Sequence, residues 1–371
     1  MSAMFEDKIK KLKEQIKKEK LDAVFVSSVS SISYLTGFFG FSKDEREAYL
    51  FIGKDFQYII TDGRYAESVK KQVSDFMFFE RGFKNSTEDL FKKFKGKIQT
   101  IGIEEDNLTV AEYKIIKKHF KNLKNINLGN LRNIKTEKEV EQLQKACEIG
   151  DLAFEYILKK IKAGVSEKEI ANELEKFIKE KGAENSFSSI VAFGKNSSIP
   201  HHQTGLTQLD PKRPQGVEGQ FVLLDFGVKF ENYCSDMTRT IFFGKPSEKQ
   251  KDIYETALEA QKKTIDFVNE QLKSGKKVKA SEVDKIARKY IESKNYLSIP
   301  HSLGHGIGLE VHEHPFISPN SKDELKAGMV FSIEPGIYIE DYGGVRIEDL
   351  FVLEKDGIKQ ITNSPKELAI I

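Results

Sequence analysis

The chain has 371 residues, 39% apolar and 31% charged, with 59 basic side chains against 57 acidic ones. At about 150 residues per domain this predicts two domains with sizeable cores, and a formal charge of +2 gives no electrostatic reason to expect nucleic acid or an anionic membrane as partner. No apolar run nears the roughly 18 residues of a bilayer span, the first residues are charged where a signal peptide is apolar, and the two cysteines, Cys147 and Cys234, cannot frame a disulfide scaffold, so a cytoplasmic protein is expected.

Ile9, Leu12 and Ile16 recur at helical spacing within residues 6–20, so the chain opens on an amphipathic helix whose lysines form a solvated face. LDAVFVSS, AYLFIG, QYIITDG and TIGIEE read as strands, with helical stretches near 85–95 and 109–120. Strands alternating with helices predict an α/β first domain, residues 1–131, and a second domain from 132 to 371. There the pairs Thr136 with Glu139, Ser166 with Glu169 and Ser247 with Gln250 are capping boxes, each opening a helix; these run towards Gly164, Gly182 and Gly275, and a further helix covers about 281–294.

Each helix pair precedes a hairpin-like stretch, first QFVLLDFGVKFENYCSDMTRTIFF and then GMVFSIEPGIYIEDYGGVRIEDLFVLE. The doubled helix-helix-hairpin order predicts two similar half-domains around a shared centre. Between the halves, TGLTQLDPKRPQGVEG reads as a surface loop.

Six of the seven histidines, His201, His202, His301, His305, His312 and His314, gather between 201 and 314, whereas His119 lies apart in a helix. Titratable side chains clustered in loop-like segments mark a candidate site. Asp225 and Asp236 interrupt apolar strand patterns, where a carboxylate is costly unless paired or bound to metal. Their midpoint falls in the turn Lys229-Phe230-Glu231-Asn232, so a symmetric hairpin would set them face to face, with a cation between them or Arg239 pairing one of them.

Glu334 and Glu348 repeat the pattern, and Arg346, two residues before Glu348, would share its face and orient a ligand carboxylate. With His305 these four acids could hold two divalent cations. Mostly oxygen ligands and one imidazole favour manganese, cobalt, iron or zinc, and the single His and lack of thiolate argue against a closed structural zinc site. GHGIGLEV lacks the context of a dinucleotide fold, no GxSxG, P-loop or HExxH occurs, and Cys234 reads as a buried core thiol.

IVAFGKNSSIPHH, LLDFG, YCSDMTRT, HSLGHGIGLEVHEHP, SIEPGIY and GGVRIED, in that order, resemble the catalytic domain of the pita-bread metallopeptidases, in the branch of Xaa-Pro dipeptidases (prolidases) and aminopeptidase P. YLTGF and TDGRYAE are similar to the amino-terminal domain of that branch and of creatinase. The resemblance implies an α/β amino-terminal domain followed by an α+β pita-bread domain with pseudo-twofold halves. It makes Asp225, Asp236, His305, Glu334 and Glu348 the ligands of a dinuclear metal centre, the set that the charge argument also assembles. All five positions are filled, unlike in creatinase, whose relatives share the fold without the metals.

The same resemblance matches His201, His301 and His312 to active-site histidines and Arg346 to an arginine near the metals; His202 has no assigned role. It implies hydrolysis of the bond between an amino-terminal residue and proline by a metal-bridging hydroxide, with Glu334 carrying the proton and His312, helped by His301 or His201, stabilising the oxyanion. The partner is a small peptide with proline second, and a homodimer is expected. One departure is Phe316, standing just after H-E-H-P where some prolidases carry a basic residue to anchor the dipeptide carboxylate. Dipeptidase and aminopeptidase therefore both stay open. A methionine-aminopeptidase-like exopeptidase and a non-catalytic pita-bread binding module are the alternatives.

Overall fold

The computed structural model describes residues 3–210 and 218–371. The polypeptide divides into two compact units, Met1–Arg132 and Asn133–Ile371.

In the first unit, helix α1 (Ala3–Lys18) buries Ile9, Leu12 and Ile16 as their spacing predicts. A six-stranded mixed sheet follows, built from β1 (Ala23–Val26), β2 (Ala48–Gly53), β3 (Gln57–Thr61), β4 (Met77–Glu80), β5 (Thr100–Ile103) and β6 (Asn122–Asn125) in the order β4-β3-β2-β1-β5-β6. Helices α2 (Val29–Thr36), α3 (Ala66–Gln72), α4 (Thr87–Lys92) and α5 (Val110–His119) lie between strands, and α6 (Gly129–Arg132) follows the last of them. Rings of Phe25, Tyr49, Phe51, Phe91 and Phe120 fill the core.

The sequence reading misses α2, α3, β4 and β6. The last two are polar or half-exposed strands with no apolar alternation. The serine-rich α2 has little helix propensity of its own. Its start is held from outside: the buried Glu104 accepts the Ser27 and Ser28 amides at 2.7 and 2.8 Å and the Ser28 and Ser31 hydroxyls, each at 2.7 Å. A carboxylate there satisfies the open amides and the positive end of the helix.

The second unit opens on α7 (Glu137–Leu158) and α8 (Glu167–Glu180), and later continues with α9 (Glu248–Lys273) and α10 (Ala280–Ser293). The three capping boxes form as expected. After α8 come β7 (Glu184–Asn185), β8 (Ile190–Phe193), β9 (Gln220–Phe226), β10 (Val228–Phe230), β11 (Tyr233–Cys234) and β12 (Met237–Phe243), in sheets ordered β12-β9-β8 and β11-β10-β7. After α9, β13 (Val278–Lys279) leads into α10.

The strands that follow α10 are β14 (Gly304–Gly306), β15 (Glu313–Ile317), β16 (Glu324–Leu325), β17 (Val330–Ile333), β18 (Gly336–Ile339), β19 (Gly343–Arg346), β20 (Asp349–Leu353) and β21 (Ile358–Gln360). Their main sheet runs β15-β14-β17-β20-β21, beside the pair β18-β19. Helix-helix-hairpin thus occurs twice, each half with its own apolar cluster. This is the pita-bread fold. The expected surface loop falls within the first half, between β8 and β9, and not between the halves; its residues 211–217 lie outside the described residues, and Leu209 within it is fully buried.

In both halves the long hairpin breaks at mid-length, and the acids sit at or beside the breaks. Asp225 lies near the end of β9, and Asp236 between β11 and β12. Glu334 lies between β17 and β18, and Glu348 between β19 and β20. In the second half the ladders Ile333 opposite Asp349 and Gly336 opposite Arg346 share one register, which sets Glu334 across from Glu348.

The first half corrects the expected symmetry. Its turn is the two-residue Glu231-Asn232, both with positive φ (45° and 73°), and this moves the register so that Asp225 faces Thr238 rather than Asp236. Asp236 is then two residues from the partner of Asp225, a diagonal neighbour on the same face.

Candidate metal centre and active site

A cavity of about 1050 Å³ opens in the second unit, and His201, His202, His301, His305, His312, all four acids and Arg346 line it. His314 is not among its lining residues; its Nδ1 lies 2.9 Å from Asp323. His119, in the first unit, pairs with Glu88 at 2.9 Å.

His305 is set by the sequence around it. A Cβ on Gly304 would meet the Ser332 carbonyl oxygen at 2.0 Å, and one on Gly306 the His314 carbonyl oxygen at 2.1 Å. Both flanking residues must lack a side chain for β14 to lie between its two neighbours. The His305 Nδ1 sits 3.2 Å from the Gly306 carbonyl, to which it donates in the matching tautomer. That leaves Nε2 as an acceptor, 3.4 Å from Glu334 Oε1 and 3.6 Å from Asp236 Oδ2. Burial lowers the His305 pKa to about 4, so the ring is neutral at pH 7.

Asp236, His305 and Glu348 each offer a ligand atom within 4.8 Å of the others, and all three are buried. Among the described residues three buried side-chain polar atoms lack a hydrogen-bond partner, and two of them are Asp236 Oδ1 and Glu348 Oε1. Orphaned carboxylate oxygens at such a depth are costly unless a cation meets them. Burial and then the neighbouring Glu348 push the Asp236 and Glu334 carboxyls well above the usual range, and burial with Asp225 raises Glu348 to about 7. Carboxyls raised together despite the nearby Arg346, with orphaned oxygens among them, fit divalent metal, which would hold them ionised.

Asp225 differs. Arg346 Nη2 lies 2.5 Å from its Oδ2, and burial still raises its pKa against that attraction. Arg346 is 1% exposed, and its guanidinium also donates to Thr238 Oγ1 at 3.0 Å and to the Tyr338 hydroxyl at 2.8 Å. Thr238 Oγ1 in turn donates to Glu348 Oε2 at 2.7 Å. Arg346 therefore orients one acid directly and a second through a threonine.

The other arginine, Arg239, pairs with neither Asp225 nor Asp236. It meets Asp349 at 2.6 Å in full burial, which removes the pairing weighed against metal binding. Cys234 is buried, with its thiol 3.9 Å from the Leu309 carbonyl, as expected of a core thiol.

His301 Nδ1 lies 2.8 Å from the Ser302 carbonyl, and its Nε2 lies 2.9 Å from the Tyr338 hydroxyl. Burial, with Arg346 nearby, holds it at about 4, hence neutral. His312 stacks edge-on to His305 with ring centroids 4.4 Å apart, and burial lowers its pKa too. Sequence reasoning missed Thr238 and Tyr338. Thr238 alternates in register with Asp236 and could have been flagged as a polar residue facing the same way. Tyr338 sits in an apolar strand and gives no such signal.

Converging carboxylates and a single neutral imidazole, set on a doubled helix-helix-hairpin scaffold, define a metal-dependent enzyme. Residues 141–355 match the model of metallopeptidase family M24, and residues 8–134 match the creatinase/prolidase N-terminal domain. The chain belongs to metallopeptidase family M24. It is 35% identical over 369 residues to an Xaa-Pro dipeptidase of Pyrococcus horikoshii, covering 98% of each chain. The solved Xaa-Pro dipeptidase from Bacillus anthracis superposes with a TM-score of 0.88 at 37% identity, covering 99% of this chain and 100% of that one. An X-Pro aminopeptidase from Thermotoga maritima superposes at 0.81 with 32% identity, over 96% and 100%. No described helix is long and apolar enough to cross a membrane.

Proposed function

We propose that this metallopeptidase hydrolyses the bond between an amino-terminal residue and proline, acting on Xaa-Pro dipeptides. Asp225, Asp236, His305, Glu334 and Glu348 would hold two divalent cations, manganese first among them. One observation carries the reading: unpartnered, buried oxygens of Asp236 and Glu348 face the cavity beside His305, in a chain whose relatives bear the name Xaa-Pro dipeptidase.

Bound cations supply Lewis acidity towards the scissile carbonyl and towards water. The remaining work falls to side chains. Glu334, ionised when cations are bound, would take the proton that water must lose and return it to the departing proline nitrogen. That nitrogen belongs to a tertiary amide, so it carries no hydrogen of its own before cleavage. His312 would donate a hydrogen bond to the oxygen on which charge develops, and His201 lines the same cavity. His301 has both ring nitrogens engaged by Ser302 and Tyr338, so its part is to hold those neighbours in place. Domains at 1–131 and 132–371, a homodimer and a cytoplasmic setting complete the proposal.

Phe316 lines the cavity at the position where some prolidases carry a basic residue, and the likeness to an X-Pro aminopeptidase favours a second reading in which longer peptides are accepted. Xaa-Pro dipeptides and Xaa-Pro-Yaa tripeptides compared in manganese buffer decide between them. Faster dipeptide turnover supports the dipeptidase. Tripeptide preference supports the aminopeptidase. Cleavage of methionyl peptides without proline, and of neither Xaa-Pro series, overturns both.

A further inference from the structure

We infer that His202 and the buried Glu167 are positioning residues that clamp the segment 193–205 and so present His201 to the cavity. Glu167 opens α8 and is 0% exposed, yet its carboxylate is fully satisfied by one short stretch of chain. Oε1 accepts the Phe193 amide and the Asn196 side-chain amide, each at 2.8 Å. Oε2 meets His202 Nε2 at 2.9 Å and the Gly205 amide at 3.0 Å. The two oxygens thus grip both ends of a strap that passes over the cavity wall.

What the strap carries gives the clamp its consequence. Between its ends lie His201, which lines the cavity, and Pro200, whose carbonyl oxygen accepts Arg346 Nη1 at 3.3 Å. The Ser197 hydroxyl, also in the strap, accepts the Gly344 amide at 2.8 Å. The strap therefore bridges the start of α8 in one half to β19 in the other, two residues from Glu348. A carboxylate buried without water can hold four donors in one arrangement, and losing one leaves the charge under-satisfied. His202 is half-buried and supplies the one side-chain ring among those donors, which makes it the accessible point at which to open the clamp.

This inference rests on the proposed activity for its kinetic arm and is independent of it in the other. Exchange of the backbone amides of residues 194–206, followed by mass spectrometry, reads the strap without substrate. His202→Ala is expected to speed that exchange about tenfold or more, while His202→Gln, which keeps a donor at the place of Nε2, stays near the parent. In Xaa-Pro hydrolysis His202→Ala is expected to lower kcat/KM by about 10- to 100-fold, with His202→Gln recovering most of it.

The decisive comparison is the double variant with His201→Ala. If His202 acts through His201, the pair falls no further than His201→Ala alone. Losses that multiply, or exchange unchanged in His202→Ala, overturn the inference. A parent enzyme that leaves Xaa-Pro bonds intact counts against the proposed function, and the exchange measurement still decides the clamp.

Discussion

Arg346 Nη2 and Asp225 Oδ2 stand 2.5 Å apart, an ion pair between buried residues contributed by opposite halves of the pita-bread fold. The same guanidinium reaches Tyr338 and Thr238, so one cation braces residues of β9, β12, β18 and β19 at once. Removing it leaves a buried aspartate facing other acids. Arg346→Met is expected to cost about 3–5 kcal/mol of stability and to weaken metal binding by about 10- to 100-fold. Arg346→Lys should not restore either, because an ammonium cannot span partners lying on several sides of a planar fork. Thermal unfolding and metal titration check both points.

The metal-free protein should lose stability with rising pH above about 6.5. Glu348 is raised to about 7, and Asp236 and Glu334 are raised as well, so the folded state keeps protons that an unfolded chain releases near pH 4. Groups raised in this way stabilise below the unfolded value and lose that contribution as pH climbs through the folded one. His301 and His305, both lowered to about 4, pull the other way between about 4 and 6.5 and then drop out. Unfolding of chelated protein at pH 6.5 and pH 8.5 should therefore give the lower midpoint at 8.5. Saturating manganese should abolish or invert that order, because ligands must shed protons to bind.

Glu334→Gln tests the proton carrier. The amide is close in size and leaves the Ser332 hydroxyl within reach of the side chain, from which Glu334 Oε1 now stands 3.3 Å away. Turnover of Xaa-Pro peptides is expected to fall by about 10²- to 10⁴-fold, with circular dichroism unchanged. Near-normal turnover would remove the role given to this residue.

Lys168 bears on the missing carboxylate anchor. Arg346 is committed to Asp225, Thr238 and Tyr338, which leaves the Lys168 ammonium as a cation lining the cavity besides the histidines. It is exposed, so its contribution is small. Lys168→Met should raise KM for Xaa-Pro dipeptides by about two- to fivefold, with kcat held and dipeptide amides unaffected. Steady-state kinetics on the two substrate forms separates this from a general loss.

The parts legible in the sequence are those whose signal is local. Capping boxes at Thr136, Ser166 and Ser247 mark helix starts because side chain and amide are three residues apart. Asp225, Asp236, Glu334 and Glu348 stand out because a carboxylate in an apolar strand needs a reason. Long-range partners left no such mark. Glu104 holds α2 from more than seventy residues away, and Glu167 looks like any acid in a helix's first turn. The facing of Asp225 and Asp236 differs from the expected pairing by two residues of register, because the hairpin turns on Glu231 and Asn232 and not on the four residues 229–232.

The most direct measurement is anomalous diffraction at the manganese edge from crystals grown with that metal. Two peaks per chain are expected, both within coordination distance of oxygens from Asp225, Asp236, Glu334 and Glu348, with His305 Nε2 on one of them. Density without peaks at this cavity, or peaks bound elsewhere on the surface, would contradict a dinuclear centre built from these five side chains.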